Sequence, residues 1–265
     1  MNFSQRSLAP FCAALALSYV MTGGASQAFA GTIKLPTIEI SIEGNPTSTW
    51  KYSPSDGDYR GATDANGGYE LNGTREFDIL NNWAHLTIEA LQWDPDPFVL
   101  NNILVTNTTT STQIFSAFVG LPTTFGAPNA ISGNVRTDVI DGGADGATVA
   151  TVGEALYQAQ IDGITVATLQ NDPFSVIAPG GSSDSSFASF GPSLSSIPVS
   201  SNIGIQLRFS LTPGDTASIL SRFDVVEPIQ RVPDAGSSAA LIAIAMPFVV
   251  ALTARSRRRK SKPST

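Results

Sequence analysis

The sequence IGIQLRFSL, residues 203–211, decides the fold class, because a large apolar residue occupies every second position. Successive side chains of a β-strand point to opposite faces, so this period predicts a strand with one buried face and one solvated face. The turn sequence Thr212-Pro213-Gly214-Asp215 follows, and Ala217–Val226 is expected to return the chain as the last strand of a closing hairpin.

Strand-like patterns of the same kind recur earlier in the chain. They cover Thr37–Glu43, Trp83–Trp93, Phe98–Asn107 and Gln113–Val119. Ser53–Gly68 and Pro179–Ser186, which are rich in Gly with Asp or Ser, are expected to be loops. No segment between residues 31 and 231 has a convincing helical period. The patterns predict one all-β domain over residues 31–228, an antiparallel β-sandwich of jelly-roll or immunoglobulin-like type with about 9–12 strands.

One hairpin is predicted from local chemistry. Ala155–Ile161 and Ile164–Gln170 are apolar-rich runs joined by Asp162-Gly163. Both central residues of a type I′ turn need a positive φ, which Asp and Gly tolerate better than other residues. The spacing therefore predicts two antiparallel strands with a two-residue connection.

Residues 1–30 have the three parts of a secretory signal peptide. Arg6 provides the positive start and Leu8–Met21 the mostly apolar run. Ala28 and Ala30 are the small residues of a predicted cleavage site. The protein is therefore expected to be exported.

The other end of the chain has a second targeting layout. Residues 229–238 are expected to form a linker and a short motif, Val232-Pro233-Asp234-Ala235-Gly236. The apolar run over residues 239–254 predicts a transmembrane helix, and residues 255–265 a basic cytoplasmic tail. The arginines that would stop transfer through the membrane are Arg255, Arg257, Arg258 and Arg259. The alternative is a hydrophobic terminal helix packed on the domain.

This order of motif, apolar helix and basic cluster resembles the PEP-CTERM family of bacterial sorting signals. The nearest variant begins VPDSG, and Ala235 stands here where that variant has serine. The resemblance is confined to the C-terminal segment. It implies recognition by a membrane-embedded exosortase and cleavage near Pro233-Asp234. It also implies delivery to the cell surface or extracellular matrix of a Gram-negative-type bacterium that makes exopolysaccharide.

The predicted exported body is acidic and has no cysteine. Of 15 Lys+Arg, seven lie in the two terminal segments, whereas all 22 Asp+Glu lie between them, which leaves the body a net charge of −14. This sign argues against nucleic acid as a partner, because phosphate binding needs a basic patch. The one cysteine, Cys12, lies in the signal peptide, so no disulfide, thiol nucleophile or cysteine-ligated metal is expected in the mature chain.

Acidic residues in Gly-rich loops suggest a calcium site. Asp56, Asp58 and Asp64 present the oxygen ligands that Ca²⁺ prefers, although they do not follow the EF-hand pattern. A second cluster consists of Asp138, Asp141 and Asp145. Asp and Gly also favour turns for backbone reasons, so turns without a metal are the alternative.

No catalytic residue is predicted. The lone histidine, His85, lies in a strand-like run, where a structural hydrogen bond is the simpler interpretation. Two carboxylates are enough for glycoside hydrolysis, but the candidate pairs suit solvated strand faces or turns equally well. These pairs are Glu39 with Glu43 and Asp94 with Asp96.

Aromatic residues that can stack on sugars complete the candidates. They are Trp50, Tyr52, Tyr59, Tyr69, Trp83 and Trp93. Taken together, the sequence predicts a non-enzymatic, exported structural or adhesive protein. Its expected partners are the exosortase, the membrane before processing, and exopolysaccharide. The alternatives are a calcium-assisted carbohydrate-binding module and a glycoside-active enzyme.

Overall fold

A computed structural model describes residues 34–44, 49–62, 68–94 and 97–226, and every regular element in these ranges is a β-strand. The predicted signal peptide, sorting motif, transmembrane helix and basic tail lie outside the described residues. Within those ranges, no helix has the length and apolar character needed to cross a membrane.

The strands are given in chain order. They are β1 (Thr37–Ile42), β2 (Trp50–Tyr52), β3 (Tyr59–Gly61), β4 (Tyr69–Leu71), β5 (Arg75–Ile79), β6 (Ala84–Asp94), β7 (Phe98–Asn107), β8 (Gln113–Pro122), β9 (Asn129–Ile140), β10 (Ala147–Ala150), β11 (Tyr157–Ile161), β12 (Ile164–Leu169), β13 (Ser175–Ala178), β14 (Ser183–Ser195), β15 (Asn202–Leu211) and β16 (Thr216–Val226).

Two antiparallel sheets contain these strands, which confirms the all-β prediction. In sheet A the order is β12-β11-β15-β8-β1-β2, with β10 between β15 and β13. In sheet B the order is β14-β9-β16-β7-β6-β4-β3, with β5 beside β6. The arrangement is consistent with the predicted β-sandwich.

The buried faces of the two sheets contribute to a shared hydrophobic core. Its largest fully buried side chains include Phe115, Tyr157 and Phe209 from sheet A, and Trp93 and Phe223 from sheet B. Full burial of a large apolar side chain contributes about 1.5–3 kcal/mol. A strand that places such a residue at every second position therefore has one strongly favoured inner face.

The closing hairpin predicted for residues 203–226 is wrong. β15 pairs with β8 and β11 in sheet A, whereas β16 pairs with β7 and β9 in sheet B. The turn from Thr212 to Asp215 therefore carries the chain from one sheet to the other. Alternation alone cannot distinguish these outcomes, because both bury the same residues of each strand.

A buried asparagine holds this crossing in place. Asn107, the last residue of β7, is fully buried, and its side-chain amide donates to the carbonyl oxygens of Ser111 and Leu211 at 2.9 Å and of Thr212 at 3.2 Å. Its backbone N–H donates to the carbonyl of Asp215 at 2.9 Å. These bonds connect the end of β7 to the β7–β8 connection and to the crossing, and the bond to Leu211 is buried.

The Asp162-Gly163 hairpin is confirmed. β11 and β12 pair antiparallel up to Ile161 and Ile164, and the two turn residues have φ of 51° and 78°. Both angles lie in the left-handed region that a type I′ turn requires.

Several strands were missed, because the described residues contain sixteen strands against the predicted total of about 9–12. β3 lies inside the loop predicted for Ser53–Gly68, and β14 begins at Ser183, inside the loop predicted for Pro179–Ser186. Both segments lack alternating large apolar residues. Their strand conformation depends on pairing with neighbours that are distant in sequence, such as β9 beside β14.

Candidate functional sites

Three carboxylates meet where two connections between strands approach each other. Asp141 and Asp145 lie between β9 and β10, and Asp215 lies between β15 and β16; one oxygen of each is within 4.8 Å of the others. The sequence had grouped the first two residues with Asp138, which instead pairs with Arg136 at 2.9 Å. Asp215 was missed because it appeared only as part of a turn sequence.

Backbone amides surround the carboxylate of Asp141. It accepts hydrogen bonds from the N–H groups of Gly143, Ala144, Gly146 and Gly181. These bonds, that from Gly181 being the largest cause, hold the pKa of Asp141 below its usual value although desolvation opposes them. Because Gly181 lies between β13 and β14, the carboxylate ties two separate connections together.

Asp215 is held in a similar way but is fully buried. Its carboxylate accepts a hydrogen bond from the N–H of Gly142 at 3.2 Å and another from the hydroxyl of Thr212. No hydrogen bond to the side chain of Asp145 is present among the described residues. In the three-carboxylate cluster, Asp141 and Asp215 thus accept hydrogen bonds from the protein, whereas Asp145 is exposed.

This cluster has the donor chemistry of a calcium site, since carboxylate oxygens are the ligands that Ca²⁺ prefers. An oxygen that accepts an N–H retains a second lone pair for a cation. The amides nevertheless compensate much of the negative charge and define the positions of the loops without a metal. The hydrogen bonds that Asp141 and Asp215 accept therefore account for the positions of these loops.

The calcium residues predicted in the first loop have different surroundings. Asp58 accepts from the N–H and hydroxyl of Ser55 at 2.9 and 2.6 Å and from Arg75 at 3.0 Å. The hydroxyl and N–H of Ser55, followed by Arg75, lower the pKa of Asp58 to about 2. Asp56 accepts from the Tyr59 hydroxyl at 3.4 Å.

Asp64 lies outside the described residues. In the described part of the chain, Asp56 and Asp58 belong to no group of three possible metal ligands. Asp58 instead accepts hydrogen bonds from Ser55 and Arg75. The described residues therefore do not assemble the calcium site predicted in this loop.

The residues considered for catalysis lie on the surface with their own partners. His85 Nδ1 is 2.9 Å from a carboxylate oxygen of Asp78 on the neighbouring strand. Glu39 pairs with Lys51 at 2.7 Å. Glu43 pairs with Arg208 at 2.5 Å. These contacts are those of a solvated sheet surface.

Only one residue of the second carboxylate pair is among the described residues. Asp94 is the last residue of β6 and has an interaction within the protein, whereas Asp96 lies outside the described residues.

The predicted aromatic residues form two clusters that pack on themselves. Tyr59 and Tyr69 are half-buried and contact the fully buried Trp93, with ring centroids 5.5 and 5.9 Å away. Trp50 and Tyr52 stack with centroids 6.1 Å apart. These aromatic faces are largely used in packing the protein.

The Trp50–Tyr52 cluster has a further aromatic neighbour, whereas Trp83 belongs to neither cluster. Trp50 and Tyr52 lie 4.9 and 5.4 Å from Phe77 of β5, so their cluster joins the edges of the two sheets. Trp83 is 40 % exposed in the turn before β6 and is separate from both clusters.

A different aromatic residue lies on the outer face of sheet A. Phe118 of β8 is half-buried, and its ring lies against the backbone of Gly120 and Gly204. A Cβ atom at either glycine would come within 2.5–2.6 Å of ring carbons. The missed signal was the presence of glycines inside two strands, which marks a close approach of another group.

Polar side chains flank this ring on the same face. Phe118 is opposite Glu39 on one side and Gln206 on the other, and Gln206 is opposite Gln158 of β11. Gln160 is opposite Gly204 in the next row. We call this surface, Phe118 with Glu39, Gln158, Gln160 and Gln206, the sheet A platform.

Neither the protein-family models nor the curated proteins give a match to this chain. The resemblance of the C-terminal segment to PEP-CTERM signals therefore stays a prediction.

Proposed function

We propose that this protein is exported and acts at the cell surface or in the extracellular matrix as a structural or adhesive component. In this proposal an exosortase processes it at the C-terminal signal, and the two-sheet body is a β-sandwich of jelly-roll or immunoglobulin-like type. The body does not act as an enzyme.

The observation that carries the proposal is the order of the C-terminal sequence. A short motif at residues 232–236, an apolar run and an arginine cluster follow in the sequence, and the motif begins six residues after the end of β16 at Val226. Glu39 and Glu43, the carboxylate pair considered for catalysis, form ion pairs with Lys51 and Arg208. An acidic, strand-rich body suits a role in which folding and display matter more than chemistry.

The test is the intact mass of the protein recovered from the host's surface, medium and cell fractions. The wild type is expected to lack residues 1–30 and the segment after about residue 233, in line with small-x-small signal cleavage. Asp234→Ala should retain the apolar segment in the membrane fraction, whereas the control Ser237→Ala should be processed normally. A wild-type protein that keeps its C-terminal arginines, or stays in the cytoplasm, would refute the proposal.

A second candidate function is carbohydrate binding by the sheet A platform. The observation that favours it is Phe118, whose ring lies against two glycines beside several glutamines. A flat aromatic ring offers an apolar surface to the C–H face of a sugar ring, and amides can donate to and accept from hydroxyl groups. An uncharged or weakly charged glycan is the ligand that this chemistry suits.

Affinity electrophoresis in gels that contain the host's exopolysaccharide distinguishes carbohydrate binding by the sheet A platform from a structural role without glycan binding. Retardation by the polymer is expected for the wild type and for the control Trp83→Ala, which removes an exposed aromatic elsewhere. Phe118→Ala should lose most of the retardation. The same gels with a chelator test whether calcium is needed for glycan binding. Equal mobility of all three proteins with and without polymer would eliminate carbohydrate binding by the platform.

A further inference from the structure

The outer edge of sheet B is formed by an unusually long strand. β14 contains 13 residues and pairs with β9 on one side only. The other strands at sheet margins are short: β2 and β3 have three residues each, β13 has four, β5 has five and β12 has six. A free edge presents unpaired N–H and C=O groups to any strand that can approach it.

The first eight residues of β14 lack the usual features that prevent such pairing, whereas Pro192 lies further along the strand. From Ser183 to Phe190 it contains one charged residue, Asp184, and neither lysine nor proline. Its pairing with β9 is regular as far as Phe190, and an irregularity follows before Ser193. β12 and β13 of sheet A come close to β14 without pairing with it. An eight-residue regular ladder is therefore open on one side.

Apart from Asp184, the exposed side chains in the first eight residues of β14 are serines and Phe187. Phe187 is 65 % exposed and Leu194 is 75 % exposed. Phe187 lies on the outer face of the sheet, opposite Arg136 of β9, whereas Ser186 and Ala188 point to the inner side and are half-buried. Single exposed apolar residues are common, but here they coincide with an unpaired backbone.

An antiparallel strand edge is complementary to itself about a two-fold axis, so a second copy of this chain is a partner that β14 fits. Charge then selects the edge by which two copies meet. The predicted mature body carries a net charge of −14, so most approaches between copies are repulsive. The regular part of β14 carries only one negative charge. Two copies can bring these strands together with less repulsion than a more highly charged surface would cause.

The two-fold symmetry of such a pair fixes the register. Residues opposite each other in antiparallel strands share a face, so their numbers must have an even sum in a symmetric pair that continues the sheet. The regular segment Asp184–Phe190 is symmetric about Phe187. In this register Phe187 faces its own copy, Ser185 faces Ser189, and Asp184 faces Phe190.

The same register keeps the like charges apart. The two Asp184 residues lie six positions apart along the strand, which is about 20 Å at about 3.4 Å per residue. This distance is well beyond the screening length of about 8 Å at physiological salt. A register centred on Ser185 would bring them to about 7 Å, so electrostatic repulsion and the Phe187 pair favour the same alignment.

We propose that β14 pairs antiparallel with β14 of a second copy, centred on Phe187, and joins the two B sheets into one continuous sheet. The partner is a second copy of this chain, and the interaction goes beyond the display function proposed above. It holds whether or not the C-terminal segment is processed, because it depends only on the body.

The first test is the mass in solution of the protein purified from the producing cells, measured by light scattering over a range of concentrations. The wild type is expected to be a dimer. Phe187→Lys places two like charges opposite each other and removes the aromatic pair, so the dissociation constant should rise by at least about tenfold. The control Ile177→Lys changes a similarly exposed residue, 59 % exposed on β13, and should remain dimeric.

The second test fixes the register. Phe187→Cys places one thiol at the symmetry axis, and antiparallel partners there have Cα atoms about 4.5–5.5 Å apart, which suits a disulfide. Mild oxidation should give a covalent dimer, whereas Ile177→Cys and the wild type should give none. A monomeric wild type, a dimer unaffected by Phe187→Lys, or failure of Phe187→Cys to cross-link would overturn the proposal. Far-ultraviolet circular dichroism verifies that each variant is folded.

Discussion

The carboxylate of Asp162 is expected to be one of the strongest local stabilisers in the domain. Asp162 is the first residue of the β11–β12 turn, and its side chain reaches the segment that leads into β15. Oδ2 accepts from the N–H of Ser200 at 2.7 Å. Oδ1 accepts from the N–H and hydroxyl of Ser201 at 2.7 and 2.8 Å and from the N–H of Asn202 at 2.9 Å.

The substitution Asp162→Asn isolates these bonds from the turn itself. Asparagine tolerates a positive φ as well as aspartate does, so the type I′ turn is retained. The variant loses the negative charge, and its NH₂ group must face at least one N–H donor. A hydrogen bond to a charged group contributes about 1.5–3 kcal/mol. We therefore expect the free energy of unfolding to fall by about 2–3 kcal/mol at pH 7.

The pH dependence of this effect has a definite sign. Burial raises the pKa of Asp162, but the hydrogen bonds from Asn202, Ser200 and Ser201 lower it more, so the net pKa lies well below the usual value. The stabilisation is fully present above the unfolded-state pKa of about 3.9. It is lost as the pH falls below that value towards the folded-state pKa, because the unfolded chain binds a proton that the folded carboxylate does not.

Urea denaturation of wild type and variant at pH 7 and pH 3 measures both effects. At neutral pH the variant's thermal midpoint should also fall by roughly 4–12 °C, at about 2–4 °C per kcal/mol for a domain of this size. Glu76→Gln, on the exposed face of β5, is the matched control and should change little. A loss below about 0.5 kcal/mol at pH 7, or an equal loss at both pH values, would refute the reasoning.

Three further results are expected. Asn107→Ala should lower the free energy of unfolding by about 2–3 kcal/mol, because three carbonyl groups, that of Leu211 in a buried bond, lose their donor; a chemical denaturation curve unchanged from wild type would contradict this. Asp141→Asn should lower the thermal midpoint equally in calcium and in chelator, whereas calcium stabilisation that the variant abolishes would identify a cation site. Gly204→Ala should cost about 1–3 kcal/mol by displacing the Phe118 ring, and Phe118→Ala in the same chain should recover part of it; strictly additive losses would count against this contact.

Local patterns predicted those strands whose apolar residues alternate. β7 has the predicted bounds, Phe98–Asn107, and β1, β6 and β8 differ by at most three residues at an end. β14 escaped prediction because serine, alanine and glycine dominate it. Its conformation depends on hydrogen bonds to β9, which is far away in the sequence.

The candidate sites were likewise predicted from the sequence only where their residues are close together in the chain. Asp141 and Asp145 were grouped by their spacing, but Asp215 joins them only because the β15–β16 connection crosses between sheets. The ring of Phe118 fits on the sheet A platform because Gly204, a residue of another strand, has no side chain at that point. No local period records such contacts, because each depends on which strands become neighbours.

The sequence by itself determined the strand conformation, the buried face of the alternating strands and the Asp162-Gly163 turn, because each follows from side chains a few residues apart. Only the tertiary structure decided that β15 and β16 enter different sheets and that β14 forms an open edge. Strand partners are selected by the total apolar area buried and by the need to satisfy buried groups such as the Asn107 amide. Those quantities are properties of the whole domain, so no single segment specifies them.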